Sequence, residues 1–293
     1  MSEGGVGDAL DLAFEEQRGR LMAVAYRMLG SRVDAEDAVQ EAWLRLARQD
    51  ATGIDNLGGW LTTVVGRVCI DALRARKSRG ETSYDERLPE LVVTEDVEAG
   101  PEDAAVMADS VGLAMLVVLD ALRPAERLAF VLHDMFAVPF EEIGQMLGTS
   151  GDAAKMHASR ARRKVQDTPR PTADRDDQRA VVDAFLAAAR DGDFEGLLQV
   201  LDPEVTWRVH TGRRVAVRRG ADEVVDKAQR ALHVDVTARR VLVNDEPGIA
   251  VWSANGKLRA VMACTVVNGR MVWMESVTDP DRLATIDLPA MPA

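Results

Sequence analysis

Five bases, Lys155, Arg160, Arg162, Arg163 and Lys164, crowd residues 152–165 against a single acid, Asp152, in a chain whose formal charge is −12. Arg and Lys on a helix that enters a DNA major groove supply phosphate contacts and bidentate hydrogen bonds to guanine. By charge alone, such a run is equally a solvated amphipathic face. A second basic stripe, Arg67, Arg74, Arg76, Lys77 and Arg79 against Asp71, follows Trp60. Bases beside an aromatic suit a surface that tracks single-stranded or opened DNA, although Trp60 also fits an apolar stripe. Between 34 and 41 the polarity reverses, and Asp34, Glu36, Asp37, Gln40 and Glu41 read from spacing alone as ordinary surface. Further on, Trp207, His210, Trp252, Trp273 and Glu275 could line a pocket. His210 with Asp235 or Glu275 could act as acid or base if folding brings them together. Taken singly, His210 reads better as a turn residue, and Trp252 and Trp273 as core.

The elements that must position these residues begin as helices. Phe14, Leu21, Val24, Ala25, Met28 and Leu29 recur at helical spacing up to Gly30-Ser31. Asp34 with Asp37 suggests a cap for the next helix, whose buried side is Val39, Ala42, Trp43 and Leu46. Residues 49–56 have loop chemistry. Asn56 then caps a long helix with the stripe Leu57, Trp60, Leu61, Val64, Val68 and Ala72, ending in the basic run RARKSR at 74–79. Residues 81–103, with Pro89, Gly100, Pro101 and many acids, read as a flexible acidic linker. Helices resume from about 104. Pro124 suits a first turn, Pro139 opens a helix over 140–147, Gly148 sits where a C-cap glycine belongs, and Thr149-Ser150 caps a helix over 152–165. Helix, tight glycine turn and basic helix form a helix-turn-helix pattern.

After a second linker at 168–177 the pattern turns mixed. It predicts helices over 178–190 and 221–232, a short helix reaching 201, and strands over 205–209, 234–243, 249–253, 258–267 and 271–277. Asn255-Gly256 and Asn268-Gly269 are two-residue hairpin signals that imply a curved antiparallel sheet.

The 293-residue length suits two or three domains. A hydrophobic content of 47% excludes a disordered chain, and 4% aromatics favour small helical bundles over a large all-β protein. Cys69 and Cys264 lie far apart without metal-ligand spacing, so neither a disulfide framework nor a zinc site is expected, and no cofactor or metal is implied. No apolar run approaches ~18 residues, and residues 1–12 lack a basic start followed by an apolar stretch. A cytoplasmic, reduced protein without a membrane partner is the expectation.

The stretch DAEDAVQEAWLRL at 34–46 resembles the core-polymerase-binding helix of bacterial sigma-70-type factors. Around it, residues 13–80 are similar to region 2 of extracytoplasmic-function sigma factors, including WLTTVVGRVCIDALR at 60–74. Residues 104–165 are similar to region 4, including LRPAERLAFVLHD at 122–134. Residues 178–287 resemble the SnoaL-like cone fold related to nuclear transport factor 2, an appendage that marks a subgroup of these factors. Of two subgroup motifs, an NPDKL type appears as DPDRL, Asp279, Pro280, Asp281, Arg282 and Leu283. A DGGGK-type loop is replaced by HTGRR at 210–214, which retains one glycine.

The resemblance implies two all-α sigma regions, the second a helix-turn-helix, followed by an α+β SnoaL-like domain. Its divisions are region 2 at 1–80, linker at 81–103, region 4 at 104–167, linker at 168–177 and a regulatory domain at 178–293. It implies a non-enzymatic alternative sigma factor whose partners are core RNA polymerase, through the β′ clamp and β subunit, and promoter DNA. Asp34, Glu36, Asp37, Gln40 and Glu41 would meet polymerase. Asn56, Arg67, Arg74, Arg76 and Lys77 would serve the −10 element, and Lys155, His157, Ser159, Arg160, Arg162 and Arg163 the −35 element. Residues 279–283 would be regulatory. The competing reading is a DNA-binding regulator carrying a ligand-binding or enzymatic cone domain, which has no need of the acidic helix.

Overall fold

The computed structural model describes residues 4–49, 54–78, 89–96, 112–166, 174–212, 214–231, 235–286 and 288. Two compact units emerge, Met1–Ser83 with Val118–Asp167, and Tyr84–Val117 with Thr168–Ala293.

The first unit is helical. α1 (Gly4–Leu29), α2 (Arg32–Ala47) and α3 (Leu57–Ser78) pack through Leu21, Val24 and Met28, Ala38, Val39 and Leu46, and Leu61, Val65 and Ile70. The cap of α2 is Ser31, not Asp34: its extended backbone lets the Ser31 hydroxyl accept from Asp34 N–H at 3.3 Å, so Asp34 already lies inside the first turn. Asn56 caps α3 as expected, accepting from Gly59 N–H at 3.0 Å. α4 (Leu113–Asp120) begins in the second unit and enters the first at Val118, and α5 (Pro124–Phe130) follows. The predicted single helix after Pro124 changes at Val131–Met135 to a π-helical turn, where Val138 N–H reaches back to Leu132 O. α6 (Phe140–Leu147) ends at Gly148, left-handed at φ 71°, and α7 (Gly151–Val165) is capped by the Ser150 hydroxyl.

Both helical halves share one core. Arg127 of α5, 1% exposed, donates from Nε to Arg27 O at 3.0 Å and from Nη1 to Asp120 at 2.9 Å. Burial pushes its pKa down against the pull of Asp120. At Gly66 of α3, an added Cβ would lie 3.1 Å from Met146 Sδ and 3.4 Å from Leu132.

The second unit holds a seven-stranded sheet. Its elements are β1 (Val93–Thr94), α8 (Arg175–Asp191), α9 (Phe194–Val200), β2 (Leu201–His210), β3 (Val215–Arg219), α10 (Ala221–Ala231), β4 (Val236–Val243), β5 (Glu246–Ser253), β6 (Leu258–Val267), β7 (Arg270–Val277) and α11 (Pro280–Leu283). The strand order is β1-β4-β5-β6-β7-β2-β3. Alternation along each strand sends Val205, Trp207, Ile249, Cys264 and Met274 into one core with Val182 and Phe185 of α8 and Val224 of α10. Val241, Ala250, Trp252, Val261 and Val277 enter a second core with Val93, Leu113 and Leu283.

Three expectations are corrected here. The sheet is mixed, because the β4–β7 meander ends beside β2 running in the same direction. The second linker is shorter, since Asp174 caps α8 and Arg175–Asp177 are helical. Most consequentially, the described part of the first linker, 89–96, is not a solvated spacer. Val93 and Thr94 pair with Val243 and Leu242, and Asn244 donates from its backbone N–H to Val92 O at 2.8 Å and from Nδ2 to Glu90 O at 2.9 Å. Acidic neighbours conceal the short run Leu91–Thr94, of which Val93 enters the second core and Leu91 packs against it.

Candidate nucleic-acid and polymerase interfaces

On α7, the small residues Ala154, Ala158 and Ala161 with Val165 face the helical core. This leaves Asp152, Lys155, Met156, Ser159, Arg160 and Arg163 on one exposed face, spaced three and four apart. Two bases expected on that face are engaged at its flanks: Arg162 pairs with Asp134 at 2.7 Å and Lys164 with Glu126 at 2.7 Å. Burial alone would raise the Glu126 carboxyl, but hydrogen bonds from Lys164 and from Arg123 N–H hold it below the usual carboxylate range. His157 turns to the side, half-buried, with Nδ1 shielded from solvent. Of the six residues expected to serve the −35 element, four, Lys155, Ser159, Arg160 and Arg163, therefore share the exposed face.

Along α3, Arg67, Arg74 and Lys77 are exposed. Arg76 is not. Its guanidinium donates to Asp34 at 2.7 Å and to Leu29 O at 3.3 Å, and its side chain is 17% exposed, so it locks α3 to the start of α2. The Asn56 amide oxygen is taken up by its cap. Arg79 lies outside the described residues, as do 50–53 of the expected loop.

The pairing with Arg76 removes Asp34 from the free acidic face of α2. What remains exposed is Glu36, Asp37 and Gln40, with Glu41 partly covered by its ion pair to Arg45 at 2.8 Å. Val33, 64% exposed, and Leu44, 41% exposed, flank them on the same face. An acidic stripe edged by two exposed aliphatics is a better partner surface than acids alone.

In the second unit the five residues expected to line a pocket divide between the two faces of the sheet. Trp207 enters the helix-covered core and donates from Nε1 to the Ser276 hydroxyl at 2.7 Å. Trp252 lies in the opposite core, with the Arg239 guanidinium 4.9 Å from its ring centroid. His210 and Glu275 do converge: His210 Nε2 bonds one carboxylate oxygen, while Trp273 Nε1 donates to the other at 2.8 Å and Arg208 stands 3.7 Å away. Asp235 contributes nothing there; its backbone oxygen accepts from Ala254 N–H. With the Glu275 side chain 0% exposed and both oxygens engaged, this network ties β2 to β7.

The parallel pairing of β2 and β7 also brings the two motifs of this unit together. Thr278 N–H donates to His210 O at 2.9 Å, and the Asp279 carboxylate, which caps α11, lies against Gly212. A Cβ at Gly212 would come within 2.7 Å of that carboxylate, and φ there is +82°, so the one glycine retained in HTGRR is the one this contact requires.

The family model for Sigma-70 region 2 matches residues 13–79, that for Sigma-70, region 4 matches 113–165, and that for the SnoaL-like domain matches 182–279. The chain is 40% identical to the ECF RNA polymerase sigma factor SigJ of Mycobacterium tuberculosis H37Rv, covering 92% of this chain and 91% of that protein. This chain belongs to the extracytoplasmic-function sigma factors. It is also 32% identical to the probable ECF RNA polymerase sigma factor SigI of M. tuberculosis, over 94% of this chain and 95% of that one. The crystal structure of M. tuberculosis SigJ superposes with a TM-score of 0.72 at 36% identity, covering 94% of this chain and 99% of that one.

As an alternative sigma factor the chain binds core RNA polymerase and promoter DNA and directs promoter-specific initiation. Among the described residues, no helix is long and apolar enough to cross a membrane. Four residues of this sigma factor escaped sequence reasoning: Val33 and Leu44 beside the acids, Met156 among the bases, and Asp96. Spacing on the helical wheel could have found the first three. Nothing local could have found Asp96. Its side chain is 2% exposed and accepts from Arg179 of α8 at 2.5 Å and from Arg240 of β4. Burial would raise its carboxyl, but these hydrogen bonds hold it below the usual range.

Proposed function

We propose that this sigma factor meets the β′ clamp through Val33, Asp37, Gln40, Glu41 and Leu44, and that the exposed bases of α3 and α7 serve the −10 and −35 elements. A contact to the β subunit completes the assembly. Catalysis belongs to the polymerase, consistent with the engaged oxygens of Glu275.

We further propose that the C-terminal domain modulates activity by holding the linker. The observation that carries this is the strand Val93–Thr94 on β4, fastened by Asp96 between Arg179 and Arg240. Elements at −35 and −10 are about 25 base pairs apart, or ~85 Å at 3.4 Å per pair. A compact unit on the order of 130 residues is only ~36 Å across. The shared core of regions 2 and 4 must therefore part on promoter DNA. The roughly 34 residues between α3 and α4 can span ~110 Å when fully extended. Pinning 89–96 to the sheet removes much of that reach and favours the closed arrangement.

The test of the polymerase face is equilibrium binding of core enzyme. Asp37→Lys with Glu41→Lys, and separately Val33→Ser with Leu44→Ser, should each weaken binding at least tenfold while the helical signal is retained. Unchanged affinity in a folded variant would reject the face. For the linker, segment-resolved hydrogen exchange before and after adding core polymerase should show loss of protection over 89–96.

A further inference from the structure

We infer that Met156 reads the 5-methyl group of a thymine in the −35 element. The inference rests on the assignment of α7 as the −35 reader. Met156 is 55% exposed, while every other apolar side chain of α7 from Ala154 to Val165 is buried. It projects beside Lys155, Ser159, Arg160 and Arg163 on a face whose bases make no ion pair among the described residues, whereas Arg162 and Lys164 are fastened to Asp134 and Glu126. A face that carries Lys155, Arg160 and Arg163, the hydroxyl of Ser159 and one long unbranched thioether near its middle, with Asp152 at its N-terminal end, matches a major groove: bases for phosphate and guanine, and an apolar contact for the methyl that distinguishes thymine. Among the four bases, thymine alone offers an apolar group in that groove, and a flexible methionine can reach it without strict geometry. A solvated helix would gain nothing from an aliphatic side chain there.

The test uses full-length protein assembled with core polymerase. Duplexes are selected from a library randomised across the −35 element, and each thymine of the enriched sequence is then replaced by deoxyuridine, which lacks only the methyl. At one or two positions the wild-type holoenzyme should bind the deoxyuridine duplex about fourfold more weakly, the worth of one buried methyl group. Met156→Ala should bind the thymine duplex about as weakly and lose nothing further with deoxyuridine, while Met156→Leu keeps the discrimination. The same deoxyuridine penalty in wild type and Met156→Ala, or none at any position, overturns the inference. So does weaker core binding by Met156→Ala without DNA, which would give the surface to polymerase. Arg160→Ala and Arg163→Ala report on the underlying assignment. Altered selection with them, but not with Met156→Ala, sinks Met156 alone; unaltered selection with all three sinks the α7 reading and Met156 with it.

Discussion

Replacing Asp96 by Asn keeps the size of the side chain and one acceptor but removes the charge that holds the linker. Arg179 and Arg240 are 15% and 24% exposed at their side chains, so both guanidinium groups would be left partly buried against a neutral amide. Removing one partner from a fully buried pair costs about 3–5 kcal/mol. Here the cost is smaller, because Arg179 also pairs with Asp176 at 3.0 Å and Arg240 with Asp183. About 2 kcal/mol remains, roughly a thirtyfold shift toward a released linker. Native-state hydrogen exchange reads this directly. Protection of the β1–β4 amides, including Asn244 N–H on Val92 O, should fall about thirtyfold, with the β5–β6–β7 ladder unchanged. Equal protection in wild type and variant would refute the lock. Loss spread evenly over every strand would also refute it, making 89–96 part of the domain's own fold instead of a releasable strap.

Other outcomes follow from the same geometry. Burial lifts the Glu246 carboxyl from 4.5 to about 7, with Arg175 opposing and Asp245 adding to the rise, and a Cβ at Gly112 would fall 2.1 Å from its oxygens. Because the folded pKa is raised, stability is fully present below pH 4.5 and is lost as pH rises through 7; from the shift of 4.5 to about 7, the loss is on the order of 3 kcal/mol. Denaturant melts of the wild type should therefore weaken from pH 5 to 8, and Glu246→Gln should flatten that slope; an equal slope in both would contradict the assignment. Asp96 acts in the opposite sense, since its lowered pKa gives stability above the unfolded carboxylate value that is lost in acid, and Asp96→Asn should remove that acid limb. Gly66→Leu should overpack the seam against Met146 and Leu132 by about 1–3 kcal/mol and raise the radius of gyration measured by small-angle scattering. An unchanged radius would mean that the seam does not hold regions 2 and 4 together.

Local chemistry made much of this fold legible. Gly148, Ser150 and Asn56 occupy the caps their side chains suit, and Asn268-Gly269, with φ of 52° and 74°, turns β6 into β7. A third hairpin at Asn244-Asp245, with φ of 49° and 66°, uses the same left-handed geometry without a glycine and so carries no Asn-Gly signal in the sequence. What stayed hidden depends on residues distant in sequence. β1 pairs with a strand from the other end of the chain, β2 pairs in parallel with β7, and Asp34 meets Arg76 across two helices. Charge patterning marked both Asp34 and Arg76 as exposed contact residues because it cannot show that they face each other. In the same way, the pocket set was split by strand alternation, which sends Trp207 and Trp252 to opposite faces.

On the proposed function, the free chain keeps regions 2 and 4 packed and must open to occupy a promoter. Both native thiols are buried, and burial pushes Cys69 up to about 12 and Cys264 up as well, so cysteines introduced at the exposed positions Gln49 and Gln166 can be labelled selectively. Resonance energy transfer between the two labels should give one short distance in the free protein, below ~40 Å as the size of the compact unit requires. Adding core polymerase and promoter DNA should lengthen it beyond ~60 Å, toward the spacing of the two elements. A distance that stays the same in the promoter complex would contradict the account.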